Sequence, residues 1–308
     1  MIAAAGLIAS RFLHYAALTI LFGVAAFPVY NNHGRTPSLS EAAAFFPWAR
    51  RVQIGAALVA LVSGVFWLDF VAANMSGELS SLIDPKILSL VVTTTEFGQV
   101  WGPRLGLIAF IVILLAPKQQ PETLRLAVLA AAAIALTSIA DTGHAGADSG
   151  PRASLHISAD AAHLLAAGIW IGALLVLARM TTIALRSGGM EDLRSLDHAL
   201  SRFSAIGPVV VGVLTLSGIL NPGFLASLKT EYGQVLLGKL GLFGAMLLLA
   251  AANRFRLGPR LAAAMMTGTA TAEPARALWL SIIAESLLAL LVLIAVAWLG
   301  TLAPPPPA

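Results

Sequence analysis

Uninterrupted apolar runs recur along this chain roughly every 25 to 40 residues, several of them near the roughly 20 residues that a helix needs to cross a bilayer. No soluble domain fits between them. With 58% hydrophobic and only 11% charged residues, the chain falls well short of the roughly one quarter of charged side chains that solvate a water-soluble surface. The bilayer is therefore its main solvent. The pattern predicts an all-α polytopic membrane protein of about eight spans, at roughly 10–30, 50–73, 97–116, 124–144, 157–180, 203–221, 233–253 and 277–300. A further apolar stretch, Ile87 to Val92, is too short to cross and reads as an interfacial or re-entrant piece.

With eight spans, the loops after the first, third, fifth and seventh share one side. They hold thirteen basic residues: Arg35, Arg50, Arg51, Lys118, Arg125, Arg179, Arg186, Arg194, Arg202, Arg254, Arg256, Arg260 and Arg276. The opposite side has four, Arg11, Lys86, Arg152 and Lys229. The positive-inside rule makes the first set cytoplasmic and puts both termini outside. The net charge of +4 thus sits at helix ends and forms no stripe of the kind that binds nucleic acid. The first run lacks a basic leader region and has a counterpart later in the chain, so it reads as a true span and not as a signal peptide. The stretch from Ser187 to Leu200 alternates acidic and basic residues and reads as a solvated amphipathic connection.

The chain also repeats itself. Glu96-Phe97-Gly98-Gln99-Val100 followed by Arg104-Leu105-Gly106-Leu107 matches Glu231-Tyr232-Gly233-Gln234-Val235 followed by Lys239-Leu240-Gly241-Leu242 without a gap. His14, Ala17 and Gly23 fall in register with His163, Ala166 and Gly172, and Ser63-Gly64 resembles Ser217-Gly218. The expectation is one membrane domain over 1–308, made of two four-helix copies at about 1–145 and 150–308. An even number of spans in each copy gives both the same orientation, about a pseudo-twofold axis along the membrane normal. His14 and His163 then lie at equal depth. Glycines at Gly98, Gly102 and Gly106, and at Gly168 and Gly172, are spaced to let helices approach closely.

Candidate chemistry gathers near the outer face. His156, Asp160 and His163 stand at i, i+4 and i+7 on one face of the fifth span, with Trp170 two turns further on. Asp141, His144 and Asp148 end the fourth span on the same side, and His14 starts the first there. Cysteine is absent, which leaves imidazole and carboxylate as ligands; these suit copper or zinc. The plainer alternative is that such groups are wetted by water and headgroups. Arg104 and Lys239 either snorkel to the interface or neutralise the carboxylates or an anionic ligand. Glu285, deeper in the last span, is either a proton or ion relay or a neutral, hydrogen-bonded buried acid. His33 and His198 fall in cytoplasmic loops and belong to no cluster.

Arg11-Phe12-Leu13-His14, Gly143-His144-Ala145, Asp160 to Leu165 running into Trp170-Ile171-Gly172, Arg202-Phe203-Ser204, Tyr232-Gly233 to Lys239, and Asn253-Arg254 together resemble the copper resistance protein D family of bacterial inner-membrane proteins. The resemblance covers essentially all eight spans. It implies copper transport across the inner membrane, copper being received by His144, His156, Asp160 and His163 with His14, and Glu285 serving as a deeper relay. It also implies a separate periplasmic copper-binding partner of the copper resistance C type, because no fused periplasmic domain or Met-rich outer loop is present. The alternative is a haem b electron-transfer protein, an oxidoreductase working with quinol or copper, in which His14 and His163 hold the iron and Arg104 and Lys239 meet the propionates. A non-transporting scaffold for a copper chaperone is a third reading.

Overall fold

The computed structural model describes residues 2–142, 151–219 and 230–302, with the side chains of 142, 151–154 and 219 set aside. Lys229 and the Pro304 to Pro307 tail lie outside the described residues, as does the Arg152 side chain. The helices are α1 (Ile2–Asn31), α2 (Leu39–Ser76), α3 (Pro85–Thr94), α4 (Glu96–Leu114), α5 (Glu122–Thr137), α6 (Pro151–Ser187), α7 (Met190–Ile219), α8 (Glu231–Ala252), α9 (Gly258–Thr267) and α10 (Ala272–Leu299). Among the described residues seven helical stretches are long and apolar enough to cross a membrane, the α8–α9 run counting as one. The chain is an all-α, multi-pass membrane protein.

Three boundaries differ from expectation for physical reasons. The fourth expected span stops at Thr137 instead of running to 144. There Thr137 Oγ1 donates back to Ala133 O at 2.9 Å and Ser138 Oγ to Ala135 O at 2.8 Å, and the Arg104 guanidinium takes the Ser138 carbonyl at 2.6 Å. With its last carbonyls satisfied in this way the helix ends, and a short 3-10 turn at Ala140–Thr142 follows. The seventh span runs on to Thr267 through a π-helical segment, Asn253–Leu257. Pro259 lacks an N–H and would clash with a carbonyl one turn back; the wider turn, closed by Gly258 N–H on Asn253 O, accommodates it. Finally, 190–200 is no solvated connection: it is the first part of α7, with Leu193, Leu196 and Ala199 buried in the core. His198 is therefore helical, its Nε2 2.9 Å from Asn31 O. The short α3 packs Val91 against Leu68 and Ala72 of α2.

Two apolar cores share α1. One lies among α1, α2, α4 and α5; the other gathers α6, α7, α8, α9 and α10, with Ala49 of α2, around the C-terminal end of α1. In each half the same pairings recur: α1 on α2 and α6 on α7, α1 on α5 and α6 on α10, α4 on α5 and α8 on α10. Matching caps start α4 and α8, where Thr95 Oγ1 accepts from Gly98 N–H at 3.1 Å and Thr230 Oγ1 from Gly233 N–H at 3.2 Å.

The halves meet where α1 crosses α6. A Cβ on Gly23 would stand 2.7 Å from Gly172 Cα, and one on Gly172 would stand 2.4 Å from Gly23 Cα, so the two register-matched glycines touch backbone to backbone. Gly168 faces Phe22 in the same seam. The α4 glycines divide. Gly98 abuts the Val91 and Val92 backbone, whereas Gly102 and Gly106 open onto free space, so the expected close helix contact fails at those two positions. Their spacing marks a small-residue strip, but among the described residues nothing lies within 4 Å of a Cβ placed at either position. Gly172→Leu should therefore force α1 and α6 apart and cost at least about 1–3 kcal/mol, whereas Gly106→Leu should leave stability unchanged. Thermal melting midpoints of the two variants in detergent test the difference.

Candidate functional site

His14 is 1% exposed, in α1 against α2. Its Nδ1 lies 2.9 Å from Ala60 O and 3.4 Å from Ser63 Oγ. A carbonyl can only accept, and the Ser63 hydroxyl proton is committed to Val59 O at 2.6 Å. Nδ1 must therefore carry the imidazole proton, which leaves Nε2 as a bare lone pair. Among the described residues Nε2 is buried with no hydrogen-bond partner. Gly64 admits the ring: a Cβ there would stand 3.3 Å from His14 Cε1. The Trp67 ring meets His14 edge-on, with centroids 5.4 Å apart.

His163 in α6 repeats this arrangement against α7. Its Nδ1 lies 2.8 Å from Ser217 Oγ, and that hydroxyl donates to Val213 O at 2.6 Å. Leu214 O, the counterpart of Ala60 O, is also engaged by the ring. The same reasoning puts the proton on Nδ1 and the lone pair on Nε2. A tied Nδ1 with a free Nε2 is the arrangement by which proteins orient imidazole as a metal ligand. His163 is only partly buried, whereas His14 is sealed.

A cation stands beside each imidazole. Arg104 is the charge that acts on His14 and Lys239 the one that acts on His163. A carboxylate acts electrostatically on each cation in turn, Asp141 on Arg104 and Asp160 on Lys239. Arg104 does not snorkel. It is 2% exposed, its Nε donates to Ser138 Oγ at 2.7 Å and its Nη2 to Ser138 O, and it lies 5.7 Å from the Trp67 ring. Arg11 also lies over the Trp67 ring, 5.3 Å from its centroid, and donates to Gly300 O.

The helix α6 carries His156, Asp160 and His163 along one face, as the spacing predicts. His144 and Asp148 lie outside the described residues. Among the described residues no group of three or more His, Asp or Glu side chains is arranged to hold a metal ion. Glu285 occupies a separate place. It is 1% exposed; its Oε1 accepts from Trp170 Nε1 at 2.6 Å and its Oε2 from Asn253 Nδ2 at 3.0 Å. Sequence reasoning did not assign Ser63, Ser217, Ser138 or Asn253 these roles. For the two serines a signal existed, the repeated Ser-Gly pair; Ser138 and Asn253 had none beyond being polar within apolar runs.

Residues 1–155 match the copper resistance protein D-like N-terminal domain, and residues 197–299 match copper resistance protein D. Copper resistance protein D of Pseudomonas syringae pv. tomato is 37% identical over 96% of each chain. The chain belongs to the copper resistance protein D family. The inner membrane protein YebZ of Escherichia coli strain K12 is 33% identical over 82% of this chain and 85% of its own. The copper transport protein CutJ of Bacillus subtilis strain 168 is 26% identical over 80% of this chain but 46% of its own. No solved structure matches. The chain spans 96% of the first of these relatives and 85% of the second, so the likeness runs through most of the chain.

The role of Arg104 as the cap of α5 gives a direct expectation. Arg104→Leu strips the Ser138 carbonyl and hydroxyl of a charged donor, and should lower stability by about 1.5–3 kcal/mol. The check is the thermal unfolding midpoint of the purified protein; an unchanged midpoint would remove Arg104 from this structural role.

Proposed function

We propose that the chain moves copper across the bacterial inner membrane, with copper as its cargo and both termini on the periplasmic side. The observation that carries this reading is the matched pair of imidazoles, each with Nδ1 tied to its neighbouring helix, which puts the lone pair on Nε2; at His14 that nitrogen is buried without a partner among the described residues. The names of two relatives, a copper resistance protein and a copper transport protein, point the same way. The thirteen-to-four asymmetry of basic residues supports the orientation, and the name of a third relative supports the inner membrane.

An ion moved bare from water into hydrocarbon costs on the order of 20 kcal/mol in the idealised limit, so ligands must replace its hydration shell. On this reading His144, His156 and Asp160 take copper at the outer surface and pass it to His163, which is reached before the sealed His14. The chain acts as two copies of a four-helix unit, about 1–145 and 150–308, with the α1–α6 seam between them. Copper arrives from a separate periplasmic carrier of the copper resistance C type. His163→Ala should lose copper binding and uptake into proteoliposomes. Ser217→Ala, which removes only the acceptor that orients the ring, should weaken binding about 10-fold. Equal copper binding and uptake by wild type and His163→Ala would sink the reading.

One observation favours a second reading. Arg104 and Lys239 stand beside the two imidazoles, where they oppose a bare cation but suit a ligand with anionic arms, such as the propionates of haem b. Bound haem would supply one-electron chemistry, while these residues would hold and orient it. The visible spectrum of protein made with ample haem separates the two: a Soret band lost in His14→Ala or His163→Ala supports haem, and its absence in wild type excludes it.

A further inference from the structure

The buried Glu285 belongs to neither imidazole site. It sits midway along α10, at the depth where a spanning helix is surrounded by hydrocarbon. Both of its oxygens accept hydrogen bonds, and both donors, the Trp170 indole and the Asn253 amide, are neutral. A carboxylate taken out of water carries a penalty of several kcal/mol, which two neutral donors offset only in part. Among the described residues no charged group acts on Glu285. The charged and titratable side chains of the elements packed on α10 are engaged or directed elsewhere. On α1, Arg11 holds Gly300 O and His14 holds Ala60 O. On α6, His163 is bound to Ser217 and Arg179 lies over the Trp48 ring. Lys239 of α8 has Asp160, and Arg254 of the π segment donates to Ser204 O. Arg256, Arg260, Glu273 and Arg276 are exposed.

Among the described residues two further oxygens in this region lack partners. Asn253 Oδ1 is buried without a hydrogen bond, and so is Ser281 Oγ, one turn before Glu285 on the same face of α10. An amide offers two faces. Its NH2 serves a carboxylate, as here, and its oxygen serves a carboxylic acid. Asn253 also opens the π segment, a local widening of the helix of a kind that recurs at functional sites. A metal cation fits poorly, because N–H groups already point at both carboxylate oxygens. A proton fits the arrangement in both states.

We infer that Glu285 is a mid-membrane proton-binding site, switching between a carboxylate held by Trp170 and Asn253 and a carboxylic acid that donates to Asn253. In the uptake step a proton from water forms an O–H bond at Oε2, and nothing is oxidised or reduced. The Asn253 amide turns by half a rotation, so that its Nδ2 leaves Oε2 and its unpartnered Oδ1 accepts the new O–H. Trp170 Nε1 continues to donate to Oε1. Release reverses each step. A group that gains and loses a proton at this depth can compensate the charge of a cation crossing the same bundle. That coupling rests on the copper reading; the proton site does not.

Infrared difference spectra of the full-length protein in lipid nanodiscs, taken between alkaline and mildly acidic media without copper, test the inference. The wild type should show a carboxylic acid C=O band that Glu285→Gln lacks. Trp170→Phe and Asn253→Leu, which each remove one partner, should keep the band and shift its frequency. A wild type without the band, or a band that persists in Glu285→Gln, overturns the proton site. An unshifted band in Asn253→Leu overturns the amide switch. Because copper is absent, a protein that shows the band yet binds no copper overturns only the copper reading.

Discussion

The contact of Gly23 with Gly172 sets the relation between the two halves of the bundle. Lipid tails are as apolar as leucine, so helices in a bilayer gain little by hiding apolar surface from one another and associate through close van der Waals packing. Here α1 and α6 meet without side chains between them. Each is also the hub of its own half, α1 for α2 and α5, α6 for α7 and α10. Fixing this crossing fixes the rest. His14 and His163 each stand roughly 13 Å up their helices from the paired glycines, so one seam places both imidazoles at matched depth.

Lipid imposes a second constraint, which turns packing into chemistry. A polar group buried in hydrocarbon has no water to fall back on, so protons are committed to the acceptors at hand. Ser63 and Ser217 give their hydroxyl protons to carbonyls one turn back in their own helices. Having done so they can only accept, and each histidine must donate from Nδ1. The tautomer thus follows from the hydrogen-bond accounting of two helices. It leaves a lone pair at Nε2 without any dedicated metal cage.

The fold was legible because its main signals are additive over many residues. The all-α, multi-pass class and the periodicity of α6 each rest on long stretches, although seven stretches and not eight are long and apolar enough to cross among the described residues, and the structure keeps α6 as one helix carrying His156, Asp160 and His163. What stayed hidden depends on single contacts between distant segments. The end of α5 at Thr137 depends on where Arg104, over thirty residues earlier, finds Ser138. The α4 glycines have the spacing of a packing motif, yet whether a helix lies against them is decided by the whole bundle. The mixed charges of 190–200 hid a three-residue apolar face, Leu193, Leu196 and Ala199, that turns inward. Asn253 could be seen as a polar residue in an apolar run, but not as the partner of Glu285.

The two imidazole sites share geometry and differ in access, and the difference can be traced to aromatic side chains. Around His14 the first half places Trp67, with Arg11 and Arg104 on that ring and Trp101 Nε1 on Gly64 O at 2.8 Å. None of these has an aromatic match at the corresponding place in the second half: Trp101 corresponds to Leu236, and Arg11 to Asp160. At the register position of Arg11 the second copy carries Asp160, a carboxylate in place of a cation. His163 is partly buried where His14 is sealed, while in both copies a carboxylate acts on the neighbouring cation, Asp141 on Arg104 and Asp160 on Lys239. Ligand exchange on a metal needs access and an electrostatic field that tolerates positive charge. Access is greater at His163, so on the copper reading proposed above the first copy serves as a packed support and the second is where a cation would enter and leave.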